Sequence, residues 1–366
     1  MSGVWGENIN LSIFGESHGK GIGVIIGGLS AGVELDIDLI NKEMSRRAPG
    51  KNQFSTSRKE CDKFEIISGY FNNRTTGSPL CVVINNTSQR SKDYEAMKDI
   101  IRPGHADYTG KIKYLGFNDY RGGGHFSGRL TAPLVFAGAI ARQLLEKRSI
   151  IIGSHILHIG KIHDDFFDYV KINDDMFRKL KLRDFPVIDI EKGEEMREQI
   201  LAVKEEKDSL GGIVETAVLN LPPGVGAPFF DSVESKIAHL LFSIPAVKGV
   251  EFGAGFSLAS MKGSEANDPF VIQNDEVKTE TNNNGGILGG ITNGMPLIFR
   301  TAFKPTPSIG RLQKTVDVAK KTNIDLEIEG RHDPCIVPRA VPVVEAAAML
   351  ALLDLLMEKE GKAWMI

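Results

Sequence analysis

Leu130-Thr-Ala-Pro-Leu-Val-Phe-Ala-Gly-Ala-Ile-Ala-Arg-Gln-Leu-Leu-Glu-Lys147 is the stretch on which the fold turns. Its apolar residues cover nearly every side of a helical wheel around small Ala and Gly, so the spacing predicts a helix buried all round. A second such run, 343–357, starts after Pro342 and is interrupted by Asp354. At that length it is too short for a membrane span. Strand-like segments surround both runs: 10–14, 22–26, 79–85, 149–162, 214–221 and 296–303. Two helices buried on all sides among many strands imply a helical layer covered on both faces by sheet.

Between these elements the chain reads more weakly. Asp36 or Asp38 caps a helix through Ile40 and Met44 that ends in Arg46-Arg47 before Pro49-Gly50. Two arginines in a last turn can simply offset the macrodipole. Residues 164–192 are charged and aromatic and read as peripheral, and a helix follows over 193–207. The strand 214–221, its Pro222-Pro223-Gly224 turn and a helix opening near Asp231 repeat the order seen at 22–47. That order suggests an internal duplication, about 8–150 and 210–357, within a single domain of 1–366. His155 and His158 have no metal-like companions and read as structural.

The 366 residues are 42% hydrophobic and 25% charged, the balance of a soluble protein with a large core. A net charge of −3 offers no global field for nucleic acid or acidic membranes, so any anion site must be a local cluster. Cys61, Cys81 and Cys335 form neither a CxxC pair nor a Cys/His cluster, which argues against a disulfide framework or zinc site. No basic segment followed by an apolar run opens the chain, and a cytoplasmic protein is expected.

The chemistry concentrates just before the first buried helix, in Arg121-Gly-Gly-Gly-His-Phe-Ser-Gly-Arg129. Three successive glycines bury no side chain; they suit a backbone that approaches a ligand or takes φ > 0. Arg121 and Arg129 are planar forks suited to carboxylate or phosphate. Upstream, Arg102-Pro-Gly-His105 places another Arg and His beside a turn. Four loops, 16–20, 102–129, 285–308 and 331–339, are rich in Gly or Pro and carry cations or protonatable groups. Converging, they would bind a polyanion and offer His18, His105 and Asp333 for proton transfer.

Two better-known motifs nearly fit. Gly15-Glu-Ser17-His-Gly19 matches the G-x-S-x-G of a serine hydrolase, whose nucleophile needs strand, sharp turn and helix. Here the following residues read as strand, as they also do against a phosphate loop, which needs a helix and a Ser or Thr where Gly21 stands. The serine hydrolase is the alternative from another class. A phosphate-binding module without catalysis would leave His18 and Asp333 without work.

The residues also resemble a known family, chorismate synthase. The matching stretches are Gly-Glu-Ser-His-Gly (15–19), Ser-Arg-Arg-Ala-Pro-Gly (45–50), Asn-Thr-Ser-Gln-Arg-Ser-Lys-Asp-Tyr (86–94), Arg-Pro-Gly-His-Ala-Asp-Tyr-Thr (102–109), Tyr-Arg-Gly-Gly-Gly (120–124) and Ser-Gly-Arg (127–129). Ala-Val-Lys-Gly-Val-Glu (246–251), Gly-Gly-Ile-Leu-Gly-Gly-Ile (285–291), Lys-Pro-Thr (304–306) and Gly-Arg-His-Asp-Pro-Cys (330–335) continue the match, in family order, over nearly the whole chain.

The resemblance implies an α+β fold, a single-domain β-α-β sandwich with buried helices between antiparallel sheets, assembled as a homotetramer. It implies a carbon–oxygen lyase acting on phosphates, converting 5-enolpyruvylshikimate 3-phosphate to chorismate with reduced FMN. Members differ in whether NADPH reduces their own flavin, and NADPH stands here as a candidate reductant. By motif, His18 would assist the flavin's protonation state, His105 the departing phosphate or a flavin carbonyl, and Asp333 the proton at flavin N5. Arg47, Arg102 and Arg129 would hold substrate anions. His125, Phe126, Ser127, Ala246, Gly289, Lys304, Pro305, Thr306, Pro307, Ser308 and Arg331 would line the FMN site. The chain departs from the family at His125-Phe126, where Arg-Ser is common, at Pro245 for Asn, at Gln53 for Arg and at Gly27 for Asp.

Overall fold

The computed structural model describes residues 3–50, 62–87, 97–328, 330 and 332–366. Its first half runs β1 (Val4–Trp5), β2 (Asn10–Gly15), β3 (Gly21–Gly27), α1 (Ile37–Arg47), β4 (Phe64–Ser68), the short pair β5 (Tyr70–Phe71) and β6 (Arg74–Thr75), β7 (Leu80–Asn85), α2 (Asp107–Lys113) and α3 (Thr131–Glu146). The second half follows with β8 (Ile151–Ile159), β9 (Ile162–His163), α4 (Asp174–Lys181), α5 (Ile190–Glu205), β10 (Gly212–Leu219), α6 (Val233–Ser243) and β11 (Val247–Phe252). A one-turn helix, α7 (Gly263–Ala266), and two hairpins, β12 (Phe270–Gln273) with β13 (Glu276–Thr279) and β14 (Ile287–Leu288) with β15 (Ile291–Thr292), lead to β16 (Leu297–Phe303). A last hairpin, β17 (Gln313–Asp317) and β18 (Thr322–Leu326), precedes α8 (Val337–Glu360).

Two five-stranded antiparallel sheets enclose the helices, ordered β1-β2-β3-β7-β4 and β11-β16-β10-β8-β9. With edge strands β1 and β9 set aside, the two sheets have one plan. A neighbouring antiparallel pair (the hairpin β2–β3, or β8 and β10 with β9, α4 and α5 between them) leads to a helix, a return strand, a strand inserted beside it and a buried helix. The second run of this plan begins at β8, upstream of residue 210.

Strand alternation sends Ile22, Val24 and Ile26 of β3 and Leu80, Val82 and Ile84 of β7 inward, and the second sheet does the same with Val214, Val218 and Phe299. α3 and α8 fill the space between and join both sheets in one core. They approach closely because Gly138 has no side chain: a Cβ there would stand 2.3 Å from that of Ala346.

α8 is longer than the sequence suggests, and Pro342 lies inside it rather than at its start. A proline is best tolerated in a first turn, and that place is taken by Pro338. At 24 residues α8 is long and apolar enough to cross a bilayer, contrary to the shorter run read from sequence, but its apolar window is buried inside the protein. Asp354, which interrupts the run, accepts from the backbone N–H of Asn8 at 2.7 Å and Ile9 at 3.0 Å, fastening the start of the first sheet.

Residues 164–192, read as peripheral, lie outside the second sheet and carry a small apolar cluster of their own. Phe167, Phe177 and Leu180 form a second cluster over Ala217, Leu219 and Ile298 on the outer face of the second sheet. Beneath them His155 lies between two carboxylates, Asp164 at 2.9 Å and Glu215 at 3.0 Å, the structural place read for it.

Candidate active site

The glycine run builds the site's floor. Gly122, Gly123 and Gly124 take φ of 63°, 106° and 52°, a path that side chains would obstruct. A Cβ on Gly122 would stand 2.3 Å from the His18 ring, so the bare backbone is where the buried imidazole rests. Ser17 N donates to Gly124 O at 3.1 Å, and the His125 ring nitrogen Nδ1 donates to Gly15 O at 2.8 Å. The 16–20 turn is thereby locked to the loop that enters α3. β3 follows this turn as a strand, so Ser17 lacks the strand–turn–helix context of a hydrolase elbow.

Next to this floor is a buried cationic cluster. Arg47, at the end of α1, donates to Asp62 at 2.8 Å and to Thr131 Oγ1 at 3.2 Å. Arg129 pairs with the same Asp62 and reaches Asn86 at 3.2 Å. Burial pushes the Arg47 guanidinium down to about 10 against the pull of Asp62, and the nearby charges of Arg339 and Arg129 add to the depression. Arg339, in the first turn of α8, is paired with Asp333. Arg46, the neighbour of Arg47, goes elsewhere, joining Glu43 of α1 to Glu345 of α8. Neither arginine merely offsets the α1 dipole.

A second group forms around His105, whose Nε2 is 2.8 Å from Ser308 Oγ. Burial lowers the His105 pKa to about 4; Arg102 contributes next, Asp107 opposes, and Lys304 and His332 add to the fall. At neutral pH this imidazole is uncharged. Arg102 holds Asp107 with both arms of its fork at 2.7 Å, so it enters the site already engaged with a carboxylate. Lys304 Nζ donates to Gly104 O at 2.7 Å, and its backbone N–H to Ala246 O at 2.9 Å. Pro307 packs against Gly104, and Pro305 lies beside Gly211. Ser209 Oγ donates to Thr306 O at 2.6 Å while Leu210 N donates to Pro334 O at 2.8 Å, so the 304–308 and 332–335 segments leave one common edge.

Most of the residues expected from sequence therefore fall into two groups, one around Arg47, Arg129 and His18 and one around His105, Lys304 and Asp333, joined by the effect of the Arg339 charge on Arg47. Ser127 caps the turn to Arg129 through its hydroxyl. Phe126 turns toward Tyr114 of the segment after α2, with ring centroids 6.2 Å apart. Gly289 sits in the β14–β15 turn, whose next residue, Gly290, packs on Ser232 at the start of α6. Arg331 lies outside the described residues, as do Gln53 and Cys61. Sequence reasoning missed Asp62, Asp107 and His332 as partners, and Arg339 appeared only as the end of a loop. Asp107 and His332 stand inside the quoted motifs; Asp62, in a polar stretch, gave no local signal.

A sandwich whose loops gather arginines, uncharged histidine and a paired aspartate over bare backbone defines an enzyme that binds small polyanions and moves protons. The comparisons with known proteins make this specific. The chorismate synthase family profile matches residues 9–357. The chorismate synthase of Thermococcus kodakarensis is 46% identical over 360 residues, 98% of each chain, and that of Dehalococcoides mccartyi 49% identical over 355 residues, 97% of this chain and 96% of the relative. A crystal structure of chorismate synthase superimposes with a TM-score of 0.77 at 32% identity, covering 98% of this chain and 94% of that one. The chain belongs to the chorismate synthase family. It is a lyase, and its reaction is the elimination of phosphate from 5-enolpyruvylshikimate 3-phosphate to give chorismate.

Proposed function

We propose that this elimination takes place over the Gly122–Gly124 floor with reduced FMN as cofactor. The observation that carries the reading is the cluster in which Arg47 and Arg129 share the buried carboxylate Asp62, next to the buried His18. Two cations on one carboxylate suit a substrate with two carboxylates and a phosphate. Arg47 and Arg129 hold substrate anions, and Arg102 joins them by sharing its fork or releasing Asp107. His105, uncharged beside Ser308, can take up a proton as negative charge gathers on the departing phosphate. Asp333 would serve proton removal at flavin N5, and His18 would assist the flavin's protonation state.

The residues present fit FMN. Thr306 Oγ1 is buried without a hydrogen-bond partner among the described residues, and Lys304 and Ser308 flank it. Gly128 and Gly289 have open space where a Cβ would stand, which leaves backbone free for close approach. Ala246, with φ of 76°, presents its backbone beside Lys304. His125, Phe126, Ser127, Pro305, Pro307 and Arg331 belong to the same assignment. Held there, reduced FMN would supply electron density for the loss of phosphate and take it back on loss of the C6 hydrogen. NADPH is the proposed source of its electrons.

We further propose a cytoplasmic homotetramer of single-domain chains built by internal duplication, without nucleic-acid or membrane partners. The recurrent strand order supports the duplication. Val4 and Ile25, 49% and 39% exposed on the outer face of the first sheet, support assembly.

The test is anaerobic turnover of 5-enolpyruvylshikimate 3-phosphate with chemically reduced FMN, following chorismate and phosphate. Release of both only with reduced flavin, and its loss in His18→Ala and Asp333→Ala, is the expected result. Turnover independent of flavin, or undiminished in both variants, overturns the assignment.

A further inference from the structure

We infer that Arg339 is a positioning residue that aims the Asp333 carboxylate at the reacting centre. The inference rests on the reading of Asp333 as the proton acceptor. Asp333 lies between two anchors. On its C-terminal side the backbone is tied to the edge of the second sheet, where Leu210 N donates to Pro334 O at 2.8 Å and Leu210 bridges to the buried Cys335. On its side-chain face Arg339 Nη2 donates to Asp333 Oδ2, with the two side chains 22% and 15% exposed.

Arg339 is itself held rigidly. It stands in the first turn of α8, its backbone N–H donating to Ile336 O at 3.0 Å, and most of that helix is buried between the sheets. Its charge helps lower the Arg47 pKa, so the Arg339–Asp333 pair lies near the arginines assigned to substrate anions. A carboxylate that must meet one particular hydrogen needs a fixed direction as well as the right charge, because small misplacements are costly in rate. A planar fork on a buried helix supplies that direction; an ammonium at the end of a flexible stem would supply charge alone.

Arg339 Nε is buried and has no hydrogen-bond partner among the described residues. It raises the competing possibility that Arg339 binds a substrate anion directly, and the experiment separates the two. The variants are R339M, R339K, D333N and the R339M/D333N double variant, each assayed for kcat and KM with reduced flavin. Substrate affinity of the flavin-free protein is measured by calorimetry.

A positioning residue predicts that R339M loses kcat on the order of tenfold to a hundredfold. KM and calorimetric affinity stay close to wild type, R339K recovers part of kcat, and the double variant is no slower than D333N. Weakened substrate affinity in R339M, or a double variant slower than D333N by the full R339M factor, overturns the inference while leaving Asp333 in its role. Wild-type kcat in R339M also overturns it. A D333N enzyme that retains kcat overturns the reading of Asp333, and this inference with it. Should R339M melt well below wild type, R339K and R339Q take its place in the same comparison.

Discussion

Gly122 and His18 show how much of this site depends on single atoms. Because the imidazole occupies the space a Gly122 Cβ would need, and because φ there is 63°, Gly122→Ala must displace the ring or bend the loop. We expect kcat to fall on the order of a hundredfold with the melting temperature nearly kept, as in other displacements of about 1 Å; steady-state assays and thermal melts check it. Asp62 is the carboxylate common to Arg47 and Arg129. Asp62→Asn leaves two buried guanidinium groups facing one another and should cost about 3–5 kcal/mol, read from urea denaturation. His105 carries a pH dependence. Its pKa falls from the ordinary 6.5 to about 4 through burial and the charges of Arg102, Lys304 and His332, so between these values the unfolded chain binds a proton that the folded chain does not. Stability therefore declines as pH falls from about 6.5 toward 4. Imidazole NMR shifts should show a ring neutral down to about pH 4, and His105→Gln should flatten the decline.

At the scale of elements, the pair α3 and α8 carries the fold, and both were legible as apolar runs because burial on all sides leaves a wheel without a polar face. Their spacing was not. It is set by Gly138 against Ala346, residues of unrelated stretches, and Gly138→Leu should force the helices apart at a cost of roughly 1–3 kcal/mol or more, measured as a lower unfolding midpoint. The strands were legible for a similar reason, since Ile22, Val24 and Ile26 alternate with the residues that face out. Residues 164–192 read as peripheral and do lie outside the second sheet, but their charged surface gave no sign of the Phe167, Phe177 and Leu180 contacts with it. Pro342 misled because proline usually begins a helix, whereas Pro338 already holds that position.

On the scale of the whole molecule, the two sheets differ in what lies outside them. The second is covered by its own 164–189 segment, while the first leaves Val4 and Ile25 exposed. If this face joins subunits of the proposed tetramer, Ile25→Glu should shift the sedimentation equilibrium toward smaller species at unchanged secondary structure. The sequence by itself determined the strands, the two buried helices and the loops rich in arginine, histidine and glycine, because periodicity and backbone demand are local properties. Only the tertiary structure decided that Asp62 joins Arg47 to Arg129, that His18 rests on Gly122, and that Arg339 grips Asp333. Asp62, Arg47 and Arg129 come from separate elements, and His18 and Gly122 from loops joined by the β2–β3 turn and the entry to α3. Arg339 and Asp333 lie close in sequence, yet their place beside the anion cluster follows from how α8 packs between the sheets.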